Sequence, residues 1–85
     1  MNTRNTANEV AEHLIDNGIV ALKEDEEIVK TYCDCNGNLV IELCDETPRK
    51  VVVSLVQIRD VLNVNAYWET DPYSGGEKFL IVPQD

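Results

Sequence analysis

Cys33, Cys35 and Cys44, with His13, add up to the four sulfur and nitrogen donors that a structural zinc ion takes. Their spacing opposes that reading. The cysteine pair runs into Asn36-Gly37, which suits the two positive-φ positions of a type I′ hairpin turn, and the chain returns through Leu39–Cys44. A two-residue turn would set Cys33 opposite Val40 and Val29 opposite Cys44. Cys33 and Cys44 would then share a face roughly 13 Å apart, at ~3.3 Å per residue, too far for one ion with ~2.3 Å sulfur bonds. The thiols read instead as small core or half-buried side chains, and neither a metal nor another cofactor is expected.

Asp34-x-Asn36-x-Asn38, with Asp45 further on, superficially matches a calcium loop. That loop needs glycine at its sixth position, where this chain has Leu39, and it needs flanking helices where the residues are β-formers. A hairpin tip is the better reading. Catalysis would require a nucleophile beside a base, or paired carboxylates in a cleft. His13 is the only histidine, placed on the edge of a helix, and a chain of 85 residues leaves little room for a pocket of ~300 Å³ or more. The protein is not expected to be an enzyme.

The charge is more telling. Sixteen acidic residues stand against seven basic ones, a formal net charge of −9. Such a chain repels nucleic-acid backbones and anionic membranes, so neither is expected as a direct partner. Tyr32, Tyr67, Trp68, Tyr73 and Phe79 could stack on bases, but stacking platforms sit within positive grooves, and the cations here are scattered. Trp68 and Phe79 are read as core residues facing each other across the last hairpin, with Tyr67 or Tyr73 exposed. No secretory leader or spanning segment is visible, and an odd number of cysteines implies reduced thiols, so a cytoplasmic location is expected.

The elements that carry these residues follow from local signals. Thr6 and Glu9 form a capping box; Ala7, Val10, Ala11 and Leu14 recur at helical spacing, and Asn17-Gly18 ends the turn, which predicts a helix over Ala7 to Asn17. Ile19–Leu22 reads as a strand or a covered extended segment. Lys23-Glu24-Asp25-Glu26-Glu27 has four mutually repelling acids and reads as a solvated tip. Residues 28–33 and 39–44 form the hairpin, Asp45–Arg49 a polar connection, and 50–53 a further strand. Ser54 and Gln57 repeat the capping box, with Val53 and Ile58 as a hydrophobic staple, predicting a helix from Leu55 to Leu62 or Asn63. Residues 64–70 and 77–82 read as the last two strands.

The expected fold is a single α+β domain over residues 1–85, in the order α-β-β-β-β-α-β-β. Its mostly antiparallel sheet would have about five to six strands, with two helices on one face. In such an up-and-down sheet the first and third turns emerge at the same end, bringing Glu24, Asp25, Glu26, Glu27, Asp45 and Glu46 to one rim. A rim of that kind accelerates encounter with a basic surface. The function implied is a small binding protein that inhibits by docking on a basic surface of another protein, such as the nucleic-acid groove of a nuclease. Phage anti-CRISPR proteins are of this type, although no motif matches a particular family. The alternative is a module that caps a partner or forms a homodimer through a sheet edge, anchored by Tyr67, Trp68 and Tyr73, with the acids serving only solubility.

Overall fold

The computed structural model describes residues 2–73 and 75–84. Along the chain lie β1 (Asn2–Asn5), α1 (Ala7–Asp16), β2 (Glu27–Cys33), β3 (Leu39–Cys44), β4 (Pro48–Val53), α2 (Leu55–Leu62), β5 (Tyr67–Thr70) and β6 (Lys78–Pro83). The class is α+β, but the strands form two three-stranded antiparallel sheets, β2-β3-β4 and β1-β6-β5, not one sheet of five or six. The division falls at α2. β4 runs straight into the Ser54 cap, so a helix, not a hairpin, carries the chain on to β5. Among the described residues no helix is long and apolar enough to cross a membrane.

Both capping boxes form. The Glu9 N–H donates to Thr6 Oγ1 at 3.1 Å, while the Thr6 N–H donates to Glu9 Oε1 at 3.2 Å. Gln57 and Ser54 repeat the exchange at 3.2 and 3.0 Å. Each box satisfies two backbone donors that a helix start otherwise leaves unpaired. α1 buries Ala7, Val10, Ala11 and Leu14, and this stripe packs on β2 and β3 of one sheet and on β6 of the other. Its two alanines allow the close approach that contact with both sheets requires. Val53 and Ile58 are both buried, as the staple demands, and α2 ends on Asn63 in the left-handed region, φ 55°.

Two elements differ from expectation. Ile19–Leu22 is not a strand: the Ile19 and Val20 N–H groups both donate to the Leu14 carbonyl, so this run closes the end of α1. Val20 enters the core, while Ile19 and Leu22 stay largely exposed. Asn2–Asn5, with no apolar residue, is a strand because β6 supplies a partner, from Asn2↔Pro83 to Asn5↔Leu80. The order is therefore β-α-β-β-β-α-β-β.

The hairpin registers also shift. Only Gly37 of the Asn36-Gly37 pair has positive φ, at 81°, and the Asp34 N–H donates to the Asn38 carbonyl at 2.9 Å. This is a three-residue loop ending in a left-handed glycine, not a two-residue type I′ turn. It sets Cys33 opposite Leu39 and Tyr32 opposite Val40, and a bulge at Val29 shifts the pairing again, so that Glu27 faces Cys44. In the last hairpin Trp68 lies opposite Leu80, and Phe79 lies opposite Glu69. Trp68 and Phe79 thus point to opposite faces of their sheet. Trp68 packs on the core, whereas Phe79 lies under the Arg4 guanidinium, 4.1 Å from its ring centroid.

One buried cluster joins the two layers. Leu39, Ile41 and Leu43 of β3 meet Leu14 of α1, Ile58 of α2 and Leu80 of β6, and these six are the largest fully buried side chains. Val40 and Ile81 are buried on the opposite faces of their sheets, each beside an aromatic neighbour in the adjacent strand, Tyr32 and Tyr67.

Candidate functional site

The first sheet determines where the acids go. Glu27 at the start of β2 pairs with Cys44 at the end of β3, and Cys44 pairs with Pro48 at the start of β4. Adjacent strands stand ~4.8 Å apart, so the approach to β2 and the turn over residues 45–47 emerge side by side. Glu24, Asp25, Glu27, Asp45 and Glu46 are all exposed there.

Glu26 is not part of a solvated tip. Its side chain is 1% exposed and is clasped by Arg49, with Nε on Oε2 and Nη2 on Oε1, both at 2.7 Å. Oε1 also accepts the Lys23 N–H at 3.0 Å, and the Glu26 N–H returns to the Lys23 carbonyl at 3.1 Å. This closes a tight turn in which Asp25 takes φ 65°. A bidentate guanidinium–carboxylate fork is the geometry that best offsets the cost of removing a carboxylate from water. The Arg49 fork, followed by the Lys23 backbone donor, holds the Glu26 carboxyl down from 4.5 to about 2. Arg49 Nη2 reaches further, to the Ala21 carbonyl at 2.8 Å, so one side chain ties the connection after α1 to the edge of the sheet.

Asp45 is also engaged while remaining charged. Its Oδ1 accepts the Thr47 N–H at 2.9 Å, the principal reason its carboxyl titrates below the usual range. Of the nearby cations, Arg49 is committed to Glu26, Lys50 faces Glu42, which in turn faces Lys30 on β2, and Lys23, exposed beside Glu24, offsets part of the charge. Arg49 is the residue that sequence reasoning undervalued. The signal lay in its register, opposite Leu43 on the core-facing side, where an arginine needs a buried acceptor.

The remaining candidates scatter. Cys33 lies on the Leu39 face of the sheet and Cys44 on the opposite face, about five residues (~16 Å) along, so the shared face expected for them does not exist. Burial pushes the Cys33 thiol above its ordinary range, the reverse of what a ligand or nucleophile needs. The Asp34 carboxylate organises its own loop, with Oδ1 accepting the Asn36 and Asn38 N–H groups at 2.9 Å each. Those bonds, Asn38 first, lower its pKa. His13 lines an open groove of about 310 Å³ with Glu9, Val10 and Leu62, which reaches ligand size despite the short chain, but no thiol lines it. Of the three aromatic anchors considered for an interface, Tyr73 is 96% exposed and Tyr67 40%, whereas Trp68 is packed against the core.

At the acidic end, two separate chain segments bring several exposed carboxylates together. Its pieces are a turn pinned by Glu26 and Arg49 and a second turn held by Asp45. No protein-family model, curated protein or solved structure matches this chain significantly.

Proposed function

We propose that the protein is a small binding module that docks its acidic end on a basic surface of another protein and thereby blocks it, without catalysing a reaction. The observation that carries this reading is the convergence of Glu24, Asp25, Glu27, Asp45 and Glu46 on one end of the first sheet, in a chain with net charge −9. Such a concentration of negative charge steers encounter with a cationic partner and disfavours anionic ones. Glu26 and Arg49 serve as the pin that presents the neighbouring carboxylates, and Asp45 holds the second turn. A nucleic-acid groove of a nuclease or a related protein offers the matching chemistry, since it is built to receive a row of negative charges.

The test is affinity capture from the native host, followed by titration of the captured protein against salt. Binding should weaken steeply as ionic strength rises. A variant combining Glu24→Gln, Asp25→Asn, Glu27→Gln and Glu46→Gln should lose at least about tenfold in affinity, about 1.4 kcal/mol, while keeping its fold. An affinity that is flat across salt, or indifferent to the four substitutions, would overturn the reading.

A further inference from the structure

Every open sheet leaves two edges with unpaired backbone groups, and proteins blunt such edges by keeping them short, bulged, charged or interrupted by proline. Of the four edges here, β1 and β5 are four residues long, and β2 is broken by the bulge at Val29. β4 is different. It runs for six residues in unbroken register with β3, has proline only at its first position, and leaves Val52 55% exposed. Among the described residues no strand lies on its other side.

We propose that β4 pairs with β4 of a second copy, antiparallel about a two-fold axis at Val51, joining the two first sheets into a continuous six-stranded sheet. The register follows from geometry. Residues directly opposed in a sheet share a face, so a strand that pairs with its own copy must be centred on a residue and not between two. Centring on Lys50 would set that lysine against its symmetry mate. Centring on Val52 would carry the ladder past the strand into the Ser54 cap. Centring on Val51 pairs Lys50 with Val52 and Arg49 with Val53, so every cation meets an apolar residue. It also extends the Thr31–Ile41–Val51 row of β-branched side chains across the axis.

Charge selects the same arrangement. β4 carries two cations and no carboxylate, so the edge itself adds no anionic repulsion between two chains that each bear −9. Antiparallel pairing sends the two acidic ends to opposite ends of the joined sheet. Residual repulsion between the copies is screened by salt, so dimerisation strengthens as ionic strength rises. Docking on a basic partner weakens under the same change, and the two proposals therefore stand or fall separately. A ladder of five residues from each copy, Arg49 to Val53, buries less than a standard interface of about 1,200–2,000 Å², which makes the association weak and concentration-dependent.

Sedimentation equilibrium of the full chain over a wide concentration range, at low and high salt, is the test. The expected result is a monomer–dimer equilibrium favoured by salt. Val52→Lys sets a lysine opposite Lys50 of the second copy and should raise the dissociation constant about tenfold or more; Val52→Glu sets a carboxylate there and should lower it. Val52 is exposed, so both variants should keep the parent's circular dichroism and Tm. A monomer at every concentration, a dimer weakened by salt, or a dimer that responds in the same direction to both substitutions would overturn the proposal.

Discussion

The two sheets are built from similar parts in different ways. Each contains three antiparallel strands, and in each at least two of them come after a helix that opens on a capping box, Thr6 with Glu9 before β2 and Ser54 with Gln57 before β5. β2, β3 and β4 are consecutive, linked by short turns, so their pairing closes only small loops. The second sheet must bring β1 and β6 together from opposite ends of the chain, with Asn2 paired to Pro83. Closing so long a loop costs more entropy before any contact forms. The first sheet is therefore a local structure, whereas the second depends on α1, which touches both sheets and holds their shared cluster together.

Truncating the centre of each sheet should have the largest effect. Ile41 of β3 and Leu80 of β6 are both fully buried, and Ile41→Ala or Leu80→Ala should cost about 2–5 kcal/mol. Trp68, the only tryptophan, lies on β5 and so reports on the second sheet. In urea its fluorescence transition should move for Ile41→Ala as well as for Leu80→Ala, because a single cluster joins the layers. A transition that ignores Ile41→Ala would mean that the sheets unfold independently.

The next effect separates two arginine–carboxylate pairs, one on each sheet. Glu26 is sealed beneath Arg49, whereas Arg4 and Asp71 meet near the surface, with the Arg4 side chain 53% exposed. Because the folded Glu26 carboxyl titrates at about 2, below its unfolded value of 4.5, its pair with Arg49 stabilises the fold fully above about pH 4.5. That stability is lost as the pH falls from there through 2. Thermal unfolding of the parent should show this decline, and Glu26→Gln should be less stable at neutral pH and flatter across that window. Arg49→Leu should expose the connection over residues 21–26 to hydrogen exchange at neutral pH. Arg4→Ala is the milder counterpart, costing about 0.5–2 kcal/mol for a partly exposed pair and the cation–π contact with Phe79.

Loss of a cap should be smaller than loss of the core and similar in the two halves. Thr6→Ala and Ser54→Ala each remove an acceptor for a helix-start N–H and should cost about 0.5–2 kcal/mol in urea titrations. A much larger loss for Thr6→Ala would sharpen the picture of α1 as the element on which both sheets depend.

Much of the first half is legible along the chain because its signals are local. The capping boxes, the Asn17-Gly18 stop and the apolar run of residues 39–44 beside a turn signal each need only a few neighbours, and the structure follows them closely. Register was harder. A loop longer by one residue at Asp34–Asn38 puts Cys33 and Cys44 on opposite faces, a bulge at Val29 shifts the pairing of Glu27 and Ile28, and neither is marked by residue type alone. Asn2–Asn5 carries no apolar pattern, so nothing in it announces a strand until β6 is beside it. Ile19–Leu22 has the apolar run, but among the described residues no strand pairs with it. The acidic end shows the same division, since the proximity of residues 24–27 to 45–46 follows from a meander, whereas the withdrawal of Glu26 from water depends on Arg49 reaching across from β4.

What the amino-acid order determined by itself is the placement of helices, hairpin strands and charge, because caps, periodicity and like-charge repulsion act within a few residues of one another. Tertiary structure alone decided that the strands divide into two sheets, that β1 exists, and that one acid of the block is buried while its neighbours face solvent. Those outcomes depend on backbone and side-chain partners far away in the chain, and a hydrogen bond or ion pair stabilises only once both of its members have been brought together.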